Sequence, residues 1–333
     1  MISIIIPTRD RACLLGSAIL SLAPQCKALE DSELIIVDNG SKDNTAFVCK
    51  SLASLFPNYT YVHEASPGLH AGRHRGCLVA RGTILVFLDD DVEVTDTWLS
   101  AIRENFNSDD LAMLGGNNVP VFYGSIPRWM DSLWYSQGDD VRSLSWLSIQ
   151  EQPNGKYPIS PYMVWGCNFA IRKDVLTAAG GFHPDGMPQD LIRFRGDGET
   201  HVSKYVADNN LKCIFDSRAS VFHKVTPERM TLGYFRKRGF NQGISDSYTQ
   251  LRNPHQAHPD KPPGSRQKLM PSLKNKLRAA KNKALGWAAS PSSAINPAQK
   301  AFREGYQDGF SYHQAIYESD PEVRAWVHKE TYF

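Results

Sequence analysis

Over about the first 90 residues, short runs of branched apolar residues alternate with stretches of helical spacing. Ile2 to Ile6, Leu34 to Val37, Tyr59 to Val62 and Ile84 to Leu88 are predicted strands, with helices expected near 11–22, 44–55 and 71–80. This alternation predicts an α/β protein with an open, mostly parallel sheet covered by helices on both faces. Such sheets bind ligands beyond the carboxyl ends of their strands, where strand order reverses. Three of the predicted strands deliver polar residues to that edge: Pro7-Thr8-Arg9-Asp10, Asp38-Asn39-Gly40-Ser41 and Asp89-Asp90-Asp91.

Beyond residue 109 the pattern loosens. Aromatics and prolines between 109 and 163 suggest the return of the sheet with irregular loops over its carboxyl edge. Val164 to Ile171 is a predicted strand, Arg172 to Ala179 a helix closed by Gly180-Gly181, and Asp197 to Asn209 a further helix. Cys213 to Phe215 and Ser220 to Phe222 are short strand candidates, and a long helix is expected after Pro227. Residues 253–272, rich in Pro, His and Gln, have the composition of a linker. Between Lys261 and Lys283 there are eight Lys or Arg and no acid, with Leu269, Leu273, Leu277, Ala280 and Ala284 at helical spacing. A basic amphipathic helix of this kind either packs on its own domain or docks on an anionic membrane surface. Pro297 to Phe333 carries enough aromatics to pack as helices on the main body. The expected organisation is therefore 1–225, divided into 1–91 and 92–225, followed by a helical region 226–333 that contains the basic segment 261–289.

Composition narrows the class. With 333 residues, 41% hydrophobic and 22% charged, the chain reads as globular, and its formal charge of +2 gives no global case for nucleic-acid binding. No run of about 18 apolar residues predicts a membrane span. The opening MISIIIPTRDR is too short an apolar run for a signal-peptide core. Six scattered cysteines without C-x-x-C spacing argue against a zinc knuckle or a stapled secreted domain. The expected location is cytoplasmic, with the basic segment as the candidate contact to the inner face of a membrane.

The sharpest chemical signal is Asp89-Asp90-Asp91 after the apolar run 84–88. Asp89 and Asp91 point the same way if the strand stays extended. Adjacent carboxylates repel unless a cation or solvent neutralises them, and hard oxygen ligands favour Mg2+, Mn2+ or Ca2+ over Zn2+. The alternative is a solvated acidic turn or a helix-capping cluster before Thr95.

IIIPTRDR, LIIVDNGSKDNT, SPGLHAGRHRG, ILVFLDDDVEV, VWGCNFAIRKDVLTAAGGF and GDGET, in this order, resemble family 2 glycosyltransferases with the GT-A fold over roughly residues 1–225. The resemblance implies an inverting, metal-dependent transfer of a sugar from a nucleotide donor, UDP-linked by preference, to a hydroxyl acceptor. It places Pro7, Thr8 and Arg9 beside the base and ribose, and has Asp38, next to Asn39, accept a hydrogen bond from the base. Gly72 would allow close backbone approach to the nucleotide, and Arg73 would offer charge to the phosphates unless it is a surface helix residue. Asp89, with Asp90, would meet the ribose. Asp91, with Asp89 and His223, would hold Mn2+ or Mg2+, although a histidine after a strand is often only packed. The family's acidic pair at a helix start is altered here, Gly196 replacing the first acid, so Asp197 is the expected base with Glu199 as the alternative. Trp165 and Asn168 would meet the acceptor sugar, or else form a packed floor. Arg238 is followed by Gly239-Phe240 rather than by the tryptophan of the processive Gln-x-x-Arg-Trp motif, which implies single addition. The acceptor would be a glycan, a lipid-linked saccharide or a small molecule, in polysaccharide or glycolipid assembly. A catalytically inactive sugar-binding module is the competing class. A sugar-phosphate nucleotidyltransferase fits less well, since it wants a Gly-rich, basic loop after the first strand.

Overall fold

The computed structural model describes residues 1–137, 141–253 and 296–333. The basic segment 261–289 and nearly all of the expected linker lie outside the described residues. The strands are β1 (Ile2–Thr8), β2 (Ser32–Asp38), β3 (Tyr59–His63), β4 (Ile84–Leu88), β5 (Val92–Val94), β6 (Leu111–Gly115), β7 (Asn118–Phe122), β8 (Tyr135–Gln137), β9 (Val141–Leu144), β10 (Ile149–Glu151), β11 (Lys156–Pro158), β12 (Asn168–Arg172), β13 (Lys212–Asp216) and β14 (Val221–Val225). The helices are α1 (Ala12–Ala28), α2 (Thr45–Leu52), α3 (Leu69–Val79), α4 (Trp98–Asn105), α5 (Lys173–Ala178), α6 (Thr200–Asp208), α7 (Leu232–Arg252), α8 (Pro297–Ser319) and α9 (Pro321–Val327).

The main sheet has the order β11-β13-β6-β12-β4-β1-β2-β3, with β12 and β11 running against the other six strands. All of β1 is buried because both of its faces are covered. Ile2, Ile4 and Ile6 join a core with Leu15, Ile19 and Leu22 of α1, while Ile5 joins Cys77 of α3 on the other face. The α3 helix lies close against the sheet, since a Cβ at Gly76 would run into Ile5 and one at Gly72 would stand 3.0 Å from the Pro7 side chain. After β3 the chain crosses back through α3 to β4 on the opposite side of β1. That reversal opens the crevice at the carboxyl ends of β1 and β4, where Thr8 and Asp89 stand.

Residues 109–163 hold more strand than their sequence suggests. They supply β6 and β11 to the main sheet and β7 to β10 to a second sheet, ordered β5-β14-β7-β10-β9-β8. The strand expected from Val164 begins only at Asn168, because the chain turns through Trp165–Cys167, with the Asn168 amide donating to the Trp165 carbonyl at 2.9 Å.

Helices α7 and α8 pack through paired glycines. A Cβ at Gly239 or Gly243 would strike the Phe302 or Tyr306 carbonyl, and one at Gly305 or Gly309 the Arg236 or Phe240 carbonyl. The two residue numbers rise together across the contact, so the helices run parallel. Phe235 and Ala298 at their amino ends join Val225 of β14, and Met130 and Leu147 of the turns between second-sheet strands, in one cluster. This docking turns a helix pair into one wall of the crevice.

Candidate active site

The chain diverges after β4, so the three aspartates take different partners. Asp89 accepts from Arg73 at 2.9 Å. Asp90 accepts from the Thr8 hydroxyl at 2.7 Å and pairs with Arg11 at 3.0 Å. Asp91 is held by Arg11 at 2.8 Å and Arg229 at 3.2 Å, with His223 Nε2 3.5 Å away. Three guanidiniums therefore offset the repulsion that the sequence posed. Burial pushes the Asp90 carboxyl up to about 7. Burial acts the same way on Asp91, but His223, Arg11 and Arg229 outweigh it and hold this carboxyl below its ordinary range.

Arg73 is the buried centre of the site. Its guanidinium lies 5.8 and 5.6 Å from the Phe87 and Phe182 ring centroids, beyond reach of solvent. It donates to Asp89, to the Gly166 carbonyl at 2.7 Å and to Glu199 at 2.8 Å. Burial favours a neutral Glu199, yet the Arg73 charge prevails and holds its carboxyl low. One arginine thus ties the end of β4 to the start of α6 and keeps Glu199 ionised.

Glu199 and Asp197 are two residues apart but do not share a site. Gly198 adopts a positive φ of 61°, which turns the chain between them. Asp197 accepts from the Thr249 hydroxyl at 2.8 Å and meets His183 Nδ1 at 2.6 Å, so it ties the start of α6 to α7. The His183 ring stacks on His201 with centroids 3.7 Å apart.

A cavity of about 1250 Å3 opens over this centre. Asp89, Glu199, Gly166 and Trp165 line it, and Arg229, Arg238 and residues of α8 form the opposite wall. Asp197 and Asn168 are not among its lining residues. The Asn168 side chain is consumed by structure, accepting from Trp98 Nε1 at 3.0 Å and donating to the Ala219 carbonyl at 2.9 Å.

The family model described as Glycosyl transferase family 2 matches residues 3–179, which carry the crossover, Arg73 and all three aspartates. The chain belongs to glycosyl transferase family 2. It is similar to the glucosyl-dolichyl phosphate glucuronosyltransferase of Haloferax volcanii, 22% identical over 242 residues that cover 70% of this chain and 71% of that protein. It is also similar to glycosyltransferase AglE of the same organism, 26% identical over 230 residues, 68% of this chain and 67% of that one. Among solved structures it shares its fold with the mannosyltransferase PcManGT from Pyrobaculum calidifontis, solved in complex with GDP-Man and Mn2+. The TM-score is 0.53 at 17% identity, over 99% of this chain and 83% of the other. The fold is therefore GT-A, as the ordered motifs implied.

In this glycosyltransferase the residues expected around the nucleotide cluster at the carboxyl ends of β1 and β2. Thr8 and Asp38 are paired neighbours across the sheet. Asp38 is buried and oriented by the Tyr61 hydroxyl at 2.5 Å and the Ser41 amide at 2.7 Å. Asn39 works as a clamp, donating to the Glu64 and Ser66 carbonyls and accepting from the Gly68 amide, so its side chain shapes the loop into α3. Gly72 packs on Pro7, and its small size serves the contact between helix and strand. Arg9 is exposed and lies 3.8 Å from the Asp10 carboxylate. Arg73 is fully buried and points at two carboxylates, so it is not a surface helix residue.

Among the described residues one group of three and one buried pair are candidate metal ligands. His70, Asp185 and Glu199 bring ligand atoms within 4.8 Å of one another, and both ring nitrogens of buried His70 lack a hydrogen-bond partner. Glu199 is engaged by Arg73 and Asp185 by Arg195, however, and two guanidiniums beside a cation disfavour it. The pair Asp91 and His223 also has two guanidiniums beside it, with Arg229 Nη1 2.9 Å from His223 Nε2, but Arg11 and Arg229 both take Asp91 Oδ2 and leave its other oxygen toward the imidazole. Asp91 Oδ1 is buried without a hydrogen-bond partner and faces His223 Nε2. One carboxylate oxygen and one imidazole suit Mn2+, and so few protein ligands leave room for phosphate oxygens. Among the described residues no helix is long and apolar enough to cross a membrane.

Proposed function

We propose that this glycosyltransferase moves a hexosyl group, with inversion, from a nucleoside-diphosphate sugar to a hydroxyl acceptor, and that Glu199 is its general base. The observation that supports this reading is the pairing of Glu199 and Asp89 on one buried arginine at the floor of a single cavity. The nucleoside lies across the ends of β1 and β2, where the oriented carboxylate of Asp38 accepts from an N–H of the base, as either uracil or guanine offers; UDP is the first candidate. Asp89 faces the donor's ribose and sugar. Asp91 and His223 hold Mn2+ or Mg2+, which when bound supplies charge stabilisation to the departing diphosphate.

The acceptor hydroxyl enters over Trp165. Glu199 takes its proton as the oxygen attacks the anomeric carbon, and the bond from that carbon to the diphosphate oxygen breaks. Arg11 and Arg229, already gathered at Asp91, offset the negative charge left on the nucleoside diphosphate. A carboxylate kept ionised by Arg73 is always ready to accept a proton, at the cost of weak basicity, so its reach to the hydroxyl matters more than its strength. Asp197 is a positioning residue that fixes the turn carrying Glu199.

The test is hydrolysis and transfer with UDP- and GDP-sugars in the presence of Mn2+. Glu199→Gln is expected to lower turnover by about 10²–10⁴ while sparing nucleotide affinity. Asp197→Asn is expected to lower the melting temperature and reduce turnover less. The reverse ranking moves the base to Asp197, and binding without any turnover by the wild-type protein favours a sugar-binding module.

A further inference from the structure

The chemistry proposed above uses one end of the cavity and leaves its α7–α8 wall without a task. The glycine contacts press one face of each helix together, so a neighbouring stripe on each turns inward: Arg238, Gln242 and Asp246 on α7, and Gln299, Arg303 and Tyr306 on α8. Two of these are cations. Arg238 is half-buried and has no hydrogen bond or ion pair among the described residues. It stands close enough to the buried Arg195 for the two charges to repel. Arg195 already has its own partner in Asp185, whereas Arg238 has none among the described residues. A part-buried guanidinium with no partner among the described residues gains from an anion laid against it, and its planar fork matches carboxylate and phosphate.

The rest of the wall suits sugar rings. Trp146 and Phe302 stack with centroids 4.2 Å apart, and Tyr162 and Trp165 line the same cavity. Aromatic faces take up the C–H face of a pyranose, while the Gln299 amide can donate to and accept from its hydroxyls and Gln242, whose amide nitrogen donates to Asp246 at 2.8 Å, can accept through its oxygen. At about 1250 Å3 the space exceeds the roughly 300–1000 Å3 of an ordinary small-ligand pocket.

We propose that α7 and α8 form a second acceptor subsite and that the acceptor is an anionic saccharide of more than one ring, its carboxylate or phosphate held by Arg238 with help from Arg303. This assignment rests on the glycosyl-transfer reading and names the acceptor class for that site. The diphosphate of the donor has its own cations, Arg11 and Arg229, at Asp91.

The experiment is saturation-transfer NMR and calorimetry on the full chain with UDP and Mg2+, using as probes digalacturonate, a disaccharide phosphate, neutral cellobiose and inorganic phosphate. At least one charged saccharide is expected to bind about tenfold or more tighter than cellobiose, the size of one charge-assisted contact. The arm that binds identifies carboxylate or phosphate. Arg238→Gln should bring that probe down to the cellobiose level with UDP affinity unchanged, and Arg238→Lys should restore part of the preference. The proposal is overturned if neither charged saccharide outbinds cellobiose at millimolar concentration, if inorganic phosphate alone binds as tightly as the sugar phosphate, or if Arg238→Gln weakens UDP instead. Failure of the transfer reading shows separately, as absence of donor hydrolysis by the wild-type protein.

Discussion

Arg73→Met keeps most of the side-chain stem and removes the charge that Asp89 and Glu199 share. Three hydrogen bonds disappear, at 2.9, 2.8 and 2.7 Å, and two half-buried carboxylates are left without their shared cation. Removing one partner of a buried ion pair costs about 3–5 kcal/mol, since the remaining charge stays desolvated. Taking about 4 kcal/mol, and roughly 2–4 °C per kcal/mol for a domain of this size, the melting temperature should fall by about 8–16 °C. Scanning calorimetry at neutral pH without nucleotide measures it. The companion variant distinguishes charge from packing. Adding Glu199→Gln to Arg73→Met removes one unpaired charge, so the double variant should melt above Arg73→Met alone, although Glu199→Gln by itself lowers stability. A change of under about 2 °C for Arg73→Met, or losses that simply add in the double variant, would refute the shared-arginine account.

Gly243→Ala sets two effects against each other. Alanine gains about 1 kcal/mol in helix propensity, but its Cβ meets the Tyr306 carbonyl, so a net loss of about 1–3 kcal/mol is expected by thermal melting; a rise would mean that α7 and α8 are not packed on their glycines. Cys13 is exposed and the other five cysteines are buried, with burial pushing the Cys26 and Cys49 thiols up to about 11 and Cys77 and Cys213 up to about 12. A thiol reagent at neutral pH should modify one cysteine quickly in the native protein and all six after denaturation, and more than one fast native thiol contradicts the packing.

The parts of the fold that were legible are those where one physical rule dominates. The strands β1, β2 and β4 are covered on both faces, so they appear as nearly continuous apolar runs, and the polar residues that follow them stand where the crossover opens the sheet. Of the second sheet only β14 was legible, as the candidate Ser220 to Phe222, because the sheet's strands are three to five residues long and too short for an alternating pattern to stand out from loop. The site was half legible. Asp89 to Asp91 announced themselves by their charge density, but nothing in a charged helix position tells a buried Arg73 from a solvated one. The one available signal was the pair Gly72 and Gly76, small residues that bring α3 onto β1 and carry Arg73 inward. Asp197 and Glu199 were indistinguishable by spacing, since only the backbone turn at Gly198 sends one to α7 and the other to the cavity. The glycines at 239, 243, 305 and 309, each pair four residues apart, were a readable sign of close helix contact, and that contact makes the wall on which the acceptor subsite is proposed.

The most direct test of metal-assisted donor binding at Asp91 is calorimetric titration of UDP and of GDP into the wild-type protein and Asp91→Ala, each with Mn2+ and with a chelator. Wild-type protein should bind one of the two nucleotides about tenfold or more tighter with Mn2+, and Asp91→Ala should lose that gain. Equal affinity with and without Mn2+, or a metal effect that survives in Asp91→Ala, would contradict the account.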